Sequence, residues 1–134
     1  DNINKLENAV GKDRIVLDIS CKKKNGRYYV VTDRWQKFTD TELNVRLMYE
    51  LAPHCSEFLV HAADAEGKQK GIERDIIPVL ASSPIPVTYA GGIGSYADIL
   101  TLKELGESKI DFTVGSALQI FGGSLDLNKI SGII

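Results

Sequence analysis

Ile85–Leu100 reads IPVTYAGGIGSYADIL, and three kinds of structure follow one another inside it. Ile85 to Ala90 is an apolar run of β-branched and aromatic residues, the composition of a buried strand. Gly91, Gly92 and Gly94 then release the backbone for a tight turn. Ser95 and Asp98 form a capping box, Ile99, Leu102 and Leu105 recur on one helical stripe, and Gly106 is placed to end the helix. Strand, glycine turn and capped helix make one βα unit, so the neighbouring sequence is searched for more of them.

Three further strand signals lie at Arg14 to Ile19, Glu57 to Ala62 and Ile110 to Val114. Three of the four strands are nearly continuous apolar runs, which suits burial on both faces of a parallel sheet. Helices are predicted between them. Thr39 with Glu42 reads as a capping box ahead of Leu43, Leu47, Met48 and Leu51. Asp75 reads as the cap of a helix through Ala81, with Pro78 in its first turn, and Ser116 as the start of a short helix from Ala117 to Phe121. Asp126 is expected to cap a last turn or two, and a helical fragment from Ile3 to Val10 precedes the first strand. Alternation at this spacing predicts an α/β fold of βαβ units, one domain over residues 1–134. The rhythm breaks once. In CKKKNGRYYVV, Asn25 and Gly26 centre a two-residue hairpin, which puts Lys22 to Lys24 on an exposed, solvated arm.

Composition narrows the function. A formal charge of -2 excludes bulk attraction to nucleic acid or acidic membranes. No apolar run approaches the roughly 18 residues of a membrane span, and no signal-peptide pattern is present. Cys21 and Cys55 lack ligand spacing, so buried thiols of a cytoplasmic protein are expected, with no metal site. The only methionine is Met48, so Asp1 is read as a cut end.

Ligands of parallel α/β proteins bind at the carboxyl ends of the strands. Asp18 lies inside the apolar IVLDIS and His61 in FLVHAAD, with Asp64 three residues on. Each alone is equally a bonded structural residue; their matched placement on adjacent strands makes them proton-transfer candidates. VTYAGGIGS and VGSAL both run from strand into helix, and one such loop alone is commonly structural. Two on adjacent strands fit a shared phosphate site, held by backbone N–H groups of Gly91, Gly92, Gly115 and Ser116. Trp35, in TDRWQKF, suits either an aromatic lid over a flat ligand or packing under the hairpin, and His54 is read as surface.

VLDIS, DRWQKF, FLVHAADAEG, PVTYAGGIGS and VGSALQIFGG, in this order, resemble the C-terminal half of the ProFAR isomerases of histidine biosynthesis in their eukaryotic form. The resemblance covers nearly the whole chain. It implies a (β/α)8 TIM barrel, of which this chain would be a half-barrel of strands five to eight. The implied reaction is an Amadori rearrangement of a sugar phosphate, an aminoaldose becoming an aminoketose, with no metal or organic cofactor. Asp18 matches the fifth-strand aspartate, for which the acid role is favoured. His61 stands where bacterial relatives commonly carry a threonine, and Arg34 where they often carry glycine. Gly91, Gly92, Gly115 and Ser116 match loops holding one of two substrate phosphates, and Trp35 a tryptophan stacking on the aminoimidazole carboxamide. The first-strand carboxylate and the second phosphate site would belong to the other half. The partner is therefore an N-terminal half-barrel or a second copy, and the isolated chain is expected to be inactive. Two alternatives stand beside this one: the related cyclase of imidazole glycerol phosphate synthase, and a non-catalytic half-barrel that binds phosphate or self-associates.

Overall fold

The computed structural model describes residues 9, 11–32, 37–64, 71–114, 123 and 125–133. Its centre is a six-stranded sheet in the order β3-β2-β1-β4-β5-β6. The strands are β1 (Val16–Lys24), β2 (Arg27–Thr32), β3 (Lys37–Glu42), β4 (Glu57–Ala62), β5 (Val87–Ala90) and β6 (Ile110–Thr113). β1, β4, β5 and β6 are parallel neighbours, the α/β sheet expected. β2 and β3 extend it as an antiparallel meander. Asn25 and Gly26 form the predicted hairpin, both with positive φ, 53° and 81°. That pair of angles matches the twist of the two arms.

The third strand of the meander corrects two expectations. Thr39 and Glu42 are not a capping box but part of β3; the Thr39 hydroxyl donates to the Val30 carbonyl at 2.8 Å, and Glu42 lies opposite Tyr29. The helix behind them, α1 (Val45–Leu51), is capped instead by Asn44, whose side chain accepts from the Leu47 N–H at 2.9 Å. The lysine arm is not the sheet's outer edge either, since Lys22 to Lys24 pair with β2 and β3 lies outside that. Lys23 forms an ion pair with Asp75 at 3.1 Å. Asp75 is thereby diverted from capping: α2 (Ile77–Ala81) follows a 3-10 turn, Arg74–Ile76, without a side-chain cap, although Pro78 does occupy its first turn.

The capping box of α3 (Tyr96–Leu105) forms as read, Ser95 Oγ accepting from the Asp98 N–H and the Asp98 carboxylate accepting from the Ser95 N–H. Ser95→Ala is expected to cost about 1 kcal/mol of stability, measured by urea unfolding. Gly106 ends α3, but at φ -86° any residue would fit its backbone. A side chain would not: a Cβ there would lie 2.8 Å from the Leu102 carbonyl and 3.0 Å from Ile110. Asp126 caps α4 (Leu127–Ile133) through its side chain on the Asn128 N–H. The helix expected over residues 117–121 and most of the fragment over 3–10 lie outside the described residues.

One face of the sheet is covered by the helices. Phe58, Val60, Val87 and Tyr89 pack with Met48, Ile77, Leu80, Ile99, Leu102 and Ile130 in a single cluster, and Cys21 and Cys55 are buried with them. Burial holds the Cys21 thiol up at about 12. The opposite face departs from the both-sides-buried expectation. Side chains alternate across a strand, and β4 alternates half-buried and buried from Glu57 to Ala62. Val16, 53% exposed, shows how open that other face is among the described residues.

Candidate functional site

The open face carries the predicted proton-transfer residues. Register places Asp18 opposite Leu59, and Ser20 opposite His61, so Asp18 and His61 are diagonal neighbours on one side of the sheet. His61 Nε2 lies 3.3 Å from Asp18 Oδ1. The Asp18 side chain is 59% exposed and that of His61 24%, so the carboxylate meets solvent while the ring is partly enclosed. An accessible carboxylate bonded to an imidazole can hand a proton to, or take one from, a molecule lying on this face. His61 is also opposite Ala90, the residue before the glycine turn, which places acid, imidazole and turn at one end of the sheet.

Gly91 and Gly92 take φ of 148° and 77° and are buried. A Cβ on Gly91 would lie 2.9 Å from the Cβ and carbonyl oxygen of Ala62 and 3.2 Å from the Tyr89 hydroxyl. Close approach of β4 and β5 thus demands glycine there before any ligand is considered. The helix end behind the turn is less open than its sequence suggested. The N–H groups of Gly94 and Ser95 both donate to the Asp98 carboxylate, at 2.9 and 3.1 Å. An anion at this turn would therefore meet the amides nearer Gly92.

Trp35, Arg34, Gly115 and Ser116 lie outside the described residues. Asp64 is exposed just past β4, and His54, expected at the surface, is half-buried in the 3-10 turn Ala52–His54. Sequence reasoning missed three residues behind the glycine turn. The Tyr28 hydroxyl donates to Glu73 Oε2 at 2.9 Å, the Glu73 N–H donates to the Tyr89 hydroxyl at 2.9 Å, and that hydroxyl donates to the Gly91 carbonyl at 2.7 Å. Burial and the Glu73 carboxylate push the Tyr28 hydroxyl well above the ordinary tyrosine value. The available signal was a tyrosine in a buried strand directly before two glycines, since a buried hydroxyl needs a partner. Among the described residues no group of His, Cys, Asp and Glu is arranged to hold a metal ion. No helix among them is long and apolar enough to cross a membrane.

The sequence profile of the family described as histidine biosynthesis protein matches residues 1–125. Among curated proteins, the chain is 50% identical over 126 residues to a protein of Medicago truncatula, across 93% of this chain and 40% of that one. That relative is named 1-(5-phosphoribosyl)-5-((5-phosphoribosylamino)methylideneamino) imidazole-4-carboxamide isomerase, chloroplastic. Proteins named as the same isomerase match in Yarrowia lipolytica, 46% identical over 123 residues (88% of this chain, 47% of the relative), and in Saccharomyces cerevisiae, 42% identical over 129 residues (92% and 49%). The chain spans about half the length of the curated relatives it matches.

Proposed function

The chain belongs to the histidine biosynthesis protein family, and from that footing we propose that it is the C-terminal half of an isomerase catalysing the Amadori rearrangement of ProFAR. The observation that carries this reading is the Asp18–His61 pair, 3.3 Å apart on an open face beside the turn that follows β5. Substrate and product are isomers, so the reaction moves protons and needs no net oxidant. Asp18 acts as general acid on the ring oxygen as the ribose opens, and the lone pair of the attached nitrogen forms the Schiff base. Removal of the C2 proton by a base then gives an enaminol, which becomes the ketone. His61, whose Nε2 faces Asp18, holds that carboxyl toward the reacting sugar. Gly91 and Gly92, with Gly115 and Ser116, hold one substrate phosphate through backbone N–H groups, and Trp35 stacks on the carboxamide-bearing ring.

β1, β4, β5 and β6 serve as strands five to eight of a (β/α)8 barrel, with residues 1–134 as one half-barrel. Two features support this. The open face has the alternating pattern of a barrel interior. Among the described residues, pairing of β1 with β2 reaches only from Lys24 to Cys21, which leaves the length of β1 from Val16 to Ser20 paired to β4 on one side. A fourth strand fits beside that length, and a first strand beside β6. An N-terminal half-barrel, or a second copy of this chain, supplies them. The open face also supports a second reading, a non-catalytic half-barrel that self-associates and binds phosphate. Either the cytoplasm or a plastid, the compartment in the name of the Medicago truncatula relative, suits the reaction.

The test is a chimera in which these residues replace the matching segment of the Saccharomyces cerevisiae relative, assayed with ProFAR beside the 134-residue chain alone. Turnover by the chimera and none by the chain is the expected result. A folded chimera without turnover would leave the non-catalytic reading in front, and turnover by the chain alone would overturn its dependence on another half.

A further inference from the structure

We infer that Tyr89 is a positioning residue for anion binding, its buried hydroxyl aiming the Gly92 N–H toward the face that carries Asp18 and His61. The inference rests on the phosphate role proposed for the Gly91–Gly92 turn.

A phenol hydroxyl has one hydrogen to give. Since Tyr89 accepts from the Glu73 N–H at 2.9 Å, that hydrogen is committed to the Gly91 carbonyl at 2.7 Å. The ring is wholly buried on the helix-covered side of β5, so the Gly91 carbonyl is held toward that side. No peptide bond among the described residues is cis, and in a trans peptide the C=O and the following N–H point in opposite directions. The Gly92 N–H is thereby turned away from Tyr89, toward the open face. A second bond repeats the device one residue on. Gly71 donates its N–H to the Gly92 carbonyl at 2.9 Å, which fixes the next peptide and with it the Ile93 N–H. Behind Tyr89, Glu73 is held in turn by the Tyr28 hydroxyl at 2.9 Å, so the frame is anchored on the hairpin strand β2. Fixed donors bind an anion better than donors that must first be ordered, because the ordering cost falls before the ligand arrives.

The test titrates the 15N-labelled 134-residue chain with inorganic phosphate and follows the Gly92 amide. In the parent chain that amide is expected to shift with phosphate. Tyr89→Phe, which leaves the ring and removes the hydroxyl, is expected to weaken phosphate binding about tenfold. Tyr28→Phe, a milder change farther back in the frame, is expected to weaken it about threefold. Leu125→Ala, at a buried core position two residues before α4, is expected to be destabilised at least as much and to bind like the parent. If Tyr89→Phe and Tyr28→Phe also bind like the parent, the positioning role is overturned while the phosphate reading stands. If Leu125→Ala weakens binding equally, general loosening explains the loss and the inference falls. If the parent amide ignores phosphate, the phosphate reading itself fails, and Tyr89 has no anion to aim at.

Discussion

Asp18→Asn in the chimera is expected to lower kcat with ProFAR by a factor on the order of 10²–10⁴, the span typical of a general acid or base. Asparagine keeps the shape and the hydrogen-bonding reach of aspartate but cannot give up or take a proton near neutral pH. The loss should therefore fall on kcat more than on KM. Stability is a separate readout. The side chain is 59% exposed and its ion-pair partner among the described residues is His61, so unfolding should change by no more than about 0.5 kcal/mol. A variant that is folded and turns over within threefold of the parent would remove Asp18 from the chemistry. His61→Thr, which keeps a hydrogen-bonding group at the same place, should cost much less if the imidazole only assists.

Gly91→Ala is expected to produce the largest loss of stability of any single methyl added to the glycines described. The new Cβ would meet Ala62 at 2.9 Å twice, on its Cβ and on its carbonyl oxygen, and the Tyr89 hydroxyl at 3.2 Å. None of those atoms can retreat easily, because Ala62 and Tyr89 are 1% and 0% exposed. A φ of 148° adds backbone strain for any residue with a side chain. Together these should cost about 2–4 kcal/mol, read by urea unfolding. Gly132 is the matched control. It sits in α4 with open space around its Cβ position, so Gly132→Ala should stabilise by about 0.5–1 kcal/mol. An unchanged midpoint for Gly91→Ala would mean that β4 and β5 are not locked together at the glycine turn.

Legibility in the sequence followed the distance over which a residue finds its partner. Ser95 and Asp98 are three apart, and the capping box read from them formed. Thr39 and Glu42 have the same spacing and did not, because Val30 and Tyr29 claimed them across a strand pairing that no local pattern announces. Asp75 was lost as a cap to a lysine 52 residues away. The Asp18–His61 pair was legible although 43 residues separate its members, since strand ends on a parallel sheet are brought together by topology. The frame behind Gly91 was not, since Tyr28, Glu73 and Tyr89 come from three segments and meet only after the hairpin folds over β1. Burial on one face was a further miss. An apolar run such as FLV reads the same whether its second face meets helices or other strands.

That one-sided burial has an evolutionary reach. Phe58, Val60, Val87 and Tyr89 secure the sheet from the helix side, while Asp18, Leu59, Thr88 and Thr113 stand on the other with little of the packing resting on them. Substitutions on the second set are cheap in stability and those on the first are not. Such a partition lets the open face change one side chain at a time while the framework stays fixed.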